Sequence, residues 1–153
     1  MKTLNSIFAF IFIAFLFVSC EPKEQPIAYG QVNCAHCQMT VSDKRYGAEL
    51  VSKTNKAYFF DSAECLMSYL QANPPMASSA AMLRVTDFTK PEMLLDAEKA
   101  TFLQSKNLPS PMGMFLTALP NEATAKKLQQ ESGGRIMNWE QAKAAVKNNE
   151  KPE

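Results

Sequence analysis

The sequence carries almost no net charge, and this lack excludes one class of partner. Its 153 residues include 16 lysines and arginines against 15 aspartates and glutamates, with no basic stripe anywhere along the chain. Proteins that bind nucleic acid concentrate lysine and arginine on one surface to meet the phosphates. We therefore expect no nucleic-acid partner.

The sequence also lacks an apolar run long enough to cross a membrane. Residues 7–18 are twelve apolar residues in a row, which as a helix extend roughly 18 Å, well short of the hydrocarbon core of about 30 Å. A run of this length behind the single basic residue Lys2 is typical of a secretory signal. The sequence thus predicts a signal peptide over residues 1–19.

The apolar run ends in a small residue followed by a cysteine, Ser19-Cys20. This ending resembles the lipobox of bacterial lipoproteins, in which the cysteine receives fatty acyl chains such as palmitate and becomes the new N-terminus. Two or three such chains are enough for stable anchoring. We predict lipidation at Cys20 and a place on the periplasmic side of a bacterial inner or outer membrane. An ordinary signal peptide with an incidental cysteine is the alternative.

The exported part, 134 residues from Cys20 onward, is long enough for one domain with a real core. Residues 20–33 hold prolines and charges with little apolar content and predict a tether. We expect the folded domain over 34–148 and a disordered tail over 149–153.

The folded part shows the same order of elements twice, strand–strand–helix–strand. In the first half we predict strands at 47–52, 57–60 and 82–88, a helix from Asp61 or Ser62 to 71, and a loop at 74–79. In the second half we predict strands at 93–103, 114–119 and 135–137 and helices at 122–131 and 139–147, with Gly133-Gly134 ending the first of these helices. The predicted fold is α+β, with two small ββαβ units packed as one domain.

Histidine and cysteine are scarce but concentrated. The only histidine, His36, lies in the stretch Cys34-Ala35-His36-Cys37-Gln38-Met39, and a second methionine pair, Met112 and Met114, flanks Gly113. Thiolate and thioether sulfurs are soft ligands that select Cu(I) over hard cations. Besides Cys20 the exported chain has three cysteines, an odd number, so at least one is free, metal-bound or intermolecular.

The Cys-x-x-Cys pair has other interpretations. A haem attachment needs histidine directly after the second cysteine, where this chain has Gln38, so this chemistry is excluded. A zinc site needs four ligands, and only Cys34, Cys37, His36 and Cys65 are available. A membrane-anchored thiol–disulfide oxidoreductase remains the main alternative, although a polar, β-branched run follows the pair instead of a helix.

Five motifs in order resemble those of the NosL family, accessory lipoproteins of nitrous oxide reductase. They are Cys34-x-x-Cys37-x-Met39, Tyr46-Gly47, Phe59-Phe60-Asp61 followed by Cys65, Ser110-Pro111-Met112-Gly113, and Gly133-Gly134. The resemblance departs at Gln38, where the family usually has glycine, and at Ser62, where it usually has aspartate. Gln38 adds side-chain bulk beside the predicted ligands.

The resemblance implies a function and partners. The chain would be a periplasmic Cu(I) chaperone and not an enzyme, with a pair of ββαβ units as its fold. It would deliver copper to a reductase such as nitrous oxide reductase, with the help of that enzyme's assembly transporter. The membrane would be a partner only through the lipid anchor.

The predicted copper ligands are Cys34, Cys37, Met39 and Met112. Cys37 and Met39 match the family's Cys-x-Met, and in an extended segment residues two apart point the same way. Cys34 is either a third ligand or a redox gate, because a disulfide to Cys37 would leave copper without that thiolate. Met112 completes the site from the second half or packs in the core.

Three further residues are secondary candidates as metal ligands or as neighbours of the metal. His36 either binds copper or is solvated beside the two thiols. The main role expected for Asp61 is that of a helix N-cap. Cys65 is expected to be a buried packing residue rather than a ligand.

Overall fold

Two antiparallel sheets organise the chain in the computed structural model, which describes residues 21–152. The first sheet has the strand order β2-β1-β3-β4 and the second has the order β6-β5-β7. The strands are β1 (Ala48–Ser52), β2 (Ala57–Phe60), β3 (Ala80–Thr86), β4 (Leu94–Asp96), β5 (Thr101–Gln104), β6 (Leu116–Leu119) and β7 (Arg135–Met137).

The described residues form four helices, three of which begin after a residue whose side chain caps them. They are α1 (Ala63–Ala72), α2 (Pro74–Ser79), α3 (Glu122–Ser132) and α4 (Trp139–Lys147). Asn121 accepts a hydrogen bond from the backbone of Thr124, and Asn138 forms a reciprocal capping box with Gln141. Gly133 ends α3 with φ of +66°, a left-handed conformation in which glycine meets no steric penalty.

The two sheets have the same internal plan, which confirms the predicted pair of ββαβ units. In each, the first strand of the unit lies in the centre and pairs with the second and third strands of that unit. The second strand is connected to the third by α1 and the short α2 in the first unit and by α3 in the second. The α+β fold predicted from the sequence is therefore confirmed.

One buried core joins the two units. It takes Leu50 and Phe60 from the first sheet, Phe102 from the second and Leu66 from α1. Trp139 at the start of α4 packs against Phe102 with ring centroids 5.9 Å apart. Because the same apolar cluster draws on both sheets, the units form a single domain.

Two predicted elements are wrong. The single strand predicted over 93–103 is two strands, β4 in the first sheet and β5 in the second, because Asp96 turns the chain between them by accepting hydrogen bonds from the backbone of Glu98 and Ala100. The loop predicted over 74–79 is the short helix α2, which proline at its first two positions favours.

The predicted tether over 20–33 is too long. Gln25 donates its backbone N–H to the carboxylate of Glu49 at 2.9 Å, and Glu24 pairs with Arg84 at 2.9 Å. The ring of Tyr29 lies against Gly47, where any Cβ would come within 2.5 Å of the Tyr29 hydroxyl oxygen. Residues 23–29 therefore lie on the first sheet, and we call them the N-terminal strap.

The predicted disordered tail over 149–153 is wrong for the residues described, 149–152. The carbonyl of Glu150 accepts a hydrogen bond from the side chain of Gln104 at 2.7 Å, and its carboxylate lies 3.5 Å from Arg135. The predicted signal peptide and Cys20 lie outside the described residues. Within residues 21–152, no helix has the length and apolar character needed to cross a bilayer.

Candidate metal centre

The Cys34–Met39 segment forms a tight hairpin turn. Asn33 and Thr40 pair as an antiparallel bridge, and inside it the Cys34 N–H donates to the Met39 carbonyl at 2.8 Å. The backbone N–H of Ala35 donates to the carbonyl of Phe59 at 2.8 Å. This bond holds the turn against the end of β2, directly before the N-terminus of α1.

The turn contradicts the extended geometry expected for Cys37 and Met39. Gln38 between them has φ of +65°, so the chain folds back there and the argument that residues two apart face one side does not apply. Cys37 is half-buried, whereas the side chain of Met39 is 47% exposed. The Gln38 side chain is itself exposed and donates to the Ala35 carbonyl, so its bulk does not fill the space beside the thiols.

Three sulfurs meet where the turn touches α1. The Sγ atoms of Cys34, Cys37 and Cys65 all lie within 4.8 Å of one another. Cys34 and Cys65 are buried and none of the three is in a disulfide. We call this group the thiol cluster. Cys65, expected mainly as a packing residue, is thus a full member of it.

The first turn of α1 fixes the position of Cys65. The hydroxyl of Ser62 accepts a hydrogen bond from the Cys65 N–H at 3.3 Å, so Ser62, not Asp61, is the N-cap. The prediction that the main role of Asp61 is to cap this helix is therefore wrong.

Hydrogen bonds and burial shift the pKa values of the three thiols in different directions. The Cys65 thiol donates a hydrogen bond to the Cys34 sulfur, and this bond holds the pKa of Cys34 well below its ordinary value. Burial opposes the shift, whereas the peptide N–H groups of Cys37, Asp61 and His36 add to it. The same bond, followed by burial, raises the pKa of Cys65, and burial raises the pKa of Cys37. Of the three thiols, Cys34 therefore releases its proton most readily.

Asp61 and His36 lie beside the thiol cluster but outside it. Asp61 is 4% exposed, and its Oδ1 has no hydrogen-bond partner among residues 21–152. Burial and, next, the negative charge of Cys34 raise the pKa of the Asp61 carboxyl. His36 is exposed on the turn. Neither belongs to the group of ligand atoms that lie within 4.8 Å of one another.

The loop with the second methionine pair is held at the same end of α1. The buried carboxylate of Glu64 accepts hydrogen bonds from the Ser110 hydroxyl and from the Leu116 N–H. The Ser110 hydroxyl in turn accepts from the Phe115 N–H at 2.8 Å. Met112 on this loop is 38% exposed, and Met114 is buried in the core. The second half of the chain thus presents Met112 at the helix end that carries Cys65.

Two features of this region were not evident from the sequence. The sequence shows the motif Ser110–Gly113 but not its bond to Glu64, because a glutamate in the first turn of a helix ordinarily faces solvent. The distance in sequence between Cys65 and Cys34 hides the contact of their side chains. The spacing of Cys65 after the capping residue Ser62 was the available signal, since it places the side chain in the first helical turn.

Comparison with known proteins identifies a protein family and a solved structure with the same fold. A family model named NosL matches residues 27–146. The crystal structure of the copper chaperone NosL from Shewanella denitrificans aligns with a TM-score of 0.67 and 22% sequence identity, over 78% of this chain and 95% of that chain. At this identity the structural likeness shows a shared fold. No curated protein matches the chain.

Proposed function

This chain belongs to the NosL family, whose model matches residues 27–146, and from this membership we propose that it is a Cu(I) chaperone and not an enzyme. It binds copper at the thiol cluster and transfers it to a copper-dependent reductase, of which nitrous oxide reductase is the leading candidate, with an assembly transporter as a further partner. Lipidation at Cys20 anchors it on the periplasmic side of the membrane. The copper chaperone from Shewanella denitrificans with the same fold supports the nature of the cargo.

One observation carries the proposal: three cysteine sulfurs lie within 4.8 Å of one another without forming a disulfide. Metal–sulfur bonds of roughly 2.3 Å in a planar three-sulfur site would separate the sulfurs by about 4 Å. The cluster therefore needs only small side-chain rotations to surround one ion. Cys34, whose pKa is lowered, offers the first bond, and Cys37 and Cys65, whose pKa values are raised, release protons when the ion enters.

The ligand set favours copper over zinc. A structural zinc ion takes four ligands in a tetrahedron, and the cluster has three. His36 lies on the exposed turn and Asp61 lies outside the cluster. Three soft cysteine sulfurs suit Cu(I), which prefers thiolate and thioether donors.

The exposure of the sulfurs suggests how copper leaves. Cys34 and Cys65 are buried, Cys37 is half-buried, and Met39 is 47% exposed. A partner can therefore reach copper first through Cys37, with the exposed thioethers of Met39 and Met112 as temporary ligands during the exchange. In this scheme Cys34 and Cys65 hold the ion, and Cys37 and Met39 transfer it.

The test is an anaerobic Cu(I) titration of the reduced mature chain carrying Cys20→Ser, in competition with a chromogenic chelator. We expect one ion per chain. Cys34→Ser, Cys37→Ser and Cys65→Ser should each weaken binding by at least about tenfold, and Met39→Ala should slow transfer to the chelator. Met93→Ala is the matched control, because Met93 is equally exposed at 49% and lies outside the turn.

Two results would refute the assignment. The first is that the reduced chain takes up no Cu(I) under these conditions. The second is that the triple cysteine variant binds Cu(I) as tightly as the parent.

A further inference from the structure

The three thiols differ in how a reagent can reach them. Cys34 is fully buried, Cys65 is 1% exposed, and Cys37 alone is half-buried at the surface of the turn. An external disulfide can therefore contact only Cys37. The other two sulfurs lie within 4.8 Å of it, close enough for a second sulfur to react with a mixed disulfide formed there.

The turn pairs Cys37 with Cys34. The Cys37 N–H donates to the Cys34 sulfur at 3.5 Å, and the Gln38 N–H donates to the Cys34 carbonyl at 3.0 Å. The two cysteines thus lie on one closed loop with two residues between them. Cys65 belongs to α1, where the Ser62 cap and the surrounding core hold it in place.

We propose that the metal-free site is closed reversibly by a disulfide between Cys34 and Cys37, formed by exchange with an external disulfide, and that Cys65 stays a thiol throughout. The closed form keeps one of the three thiols, so it cannot hold copper as the open form does. The copper half of this inference rests on the proposed function, whereas the disulfide chemistry does not.

The exchange balances in two steps. The Cys37 thiol first loses its proton. The resulting thiolate attacks one sulfur of the external disulfide, a bond forms between them, and the other external sulfur leaves as a thiolate. The Cys34 thiolate then attacks the Cys37 sulfur, forms the Cys34–Cys37 bond and expels the second external thiolate. Two protein thiols are oxidised, one external disulfide is reduced to two thiols, and the protons of the protein thiols pass to the released thiolates.

Closure needs a movement that the turn permits. A disulfide requires the two sulfurs to come to about 2.05 Å, from a separation of up to 4.8 Å. The half-buried Cys37 side chain can rotate toward Cys34. Cys65, enclosed in the core at the first turn of α1, has less freedom to move. The structure therefore favours Cys34 as the sulfur that resolves the mixed disulfide.

The test is to equilibrate the metal-free mature chain carrying Cys20→Ser with mixtures of oxidised and reduced glutathione, and then to map disulfides by mass spectrometry. We expect a Cys34–Cys37 disulfide and a Cys65 thiol that is alkylated only after unfolding. Cys65→Ala should form the same disulfide, whereas Cys34→Ala should accumulate a glutathione adduct on Cys37. Oxidised protein should bind Cu(I) more weakly by at least about 100-fold, and copper-loaded protein should resist oxidation.

The outcomes separate this inference from the proposed function. If the chain is not oxidised, or if the disulfide includes Cys65, the proposed closure by Cys34 and Cys37 is overturned even when the reduced chain binds copper. A Cys34–Cys37 disulfide in a chain whose reduced form takes up no Cu(I) overturns the copper assignment and the gating role, and leaves the exchange chemistry in place.

Discussion

Gln38 sits at the point where the backbone of the Cys34–Met39 turn reverses. Its φ of +65° lies in the left-handed region, which costs a residue with a side chain roughly 1–2 kcal/mol compared with glycine. Gln38 therefore holds the turn in a conformation that strains its own backbone. Its amide bond to the Ala35 carbonyl is exposed and offsets little of that cost.

We predict that Gln38→Gly leaves the turn intact and raises the free energy of unfolding by up to about 1 kcal/mol, because relief of strain outweighs the added entropy of the unfolded chain. Denaturant unfolding of the reduced, metal-free chain measures this. Gln31→Gly is the matched control, since Gln31 is an exposed turn residue without a positive φ, and it should destabilise by about 0.5–1 kcal/mol. Equal losses in both variants would contradict the strain argument.

At the scale of elements, the thiol cluster depends on what meets at the N-terminus of α1. The turn containing Cys34 and Cys37 arrives from one side, where Ala35 is bonded to the carbonyl of Phe59. The loop containing Met112 arrives from the other side through Ser110 and Glu64. Helix α1 is thus the element against which both methionine-bearing segments are positioned.

We predict that Ser110→Ala lowers the free energy of unfolding by about 1–3 kcal/mol, because the buried Glu64 carboxylate loses a donor and the Phe115 N–H loses its acceptor. Hydrogen exchange at the Phe115 and Leu116 amides should accelerate. Ser78→Ala is the control, since the Ser78 hydroxyl is exposed and bonds only within α2. Unchanged stability and exchange in Ser110→Ala would show that Ser110 does not hold the loop.

At the scale of the whole molecule, the N-terminal strap buries a carboxylate on the outer face of the first sheet. Glu49 is fully buried, accepts a hydrogen bond from the Gln25 N–H at 2.9 Å, and has no partner for its second oxygen within residues 21–152. Burial raises its pKa from an ordinary 4.5 to about 7, and the nearby charge of Glu24 adds to this while Gln25 and Arg84 oppose it.

The sign of the resulting pH dependence follows from the raised pKa. The folded state prefers the protonated carboxyl, so this contribution to stability is complete below about pH 4.5 and is lost as the pH rises through about 7. Glu49→Gln, which keeps an acceptor for Gln25, should match the parent near pH 4.5 and exceed its free energy of unfolding by on the order of 2 kcal/mol at pH 8.

Denaturant unfolding across this pH range, with the exposed Glu98→Gln as control, measures the difference. Parallel profiles for the parent and Glu49→Gln would show that the strap does not perturb Glu49.

The strap also limits the length of the linker to the proposed lipid anchor. Lys23 donates its backbone N–H to Asn55 at 2.9 Å, in the turn between β1 and β2. If Cys20 is lipidated as proposed, only Glu21 and Pro22 separate the anchored residue from the strap. The linker is then much shorter than the tether predicted from composition, and the first sheet is held near the lipid surface.

Local signals in the sequence predicted most of the secondary structure and the family. The caps at Asn121 and Asn138, the glycines after α3 and the short alternating strands depend on interactions within a few residues, so they could be recognised without a tertiary structure. The assignment to the NosL family, made from five short motifs, is confirmed by the match over residues 27–146. The two ββαβ units followed from the order of the elements alone.

Only the tertiary structure decided which residues meet in the thiol cluster. Cys65 joins Cys34 and Cys37 because α1 begins where the hairpin turn docks on β2, a contact between segments about thirty residues apart that no local pattern encodes. The positive φ of Gln38, the bond of Ser110 to Glu64 and the packing of the strap over Glu49 have the same origin. The amino-acid sequence shows that soft sulfur ligands are present, but their distances and burial depend on how distant segments pack in the folded chain.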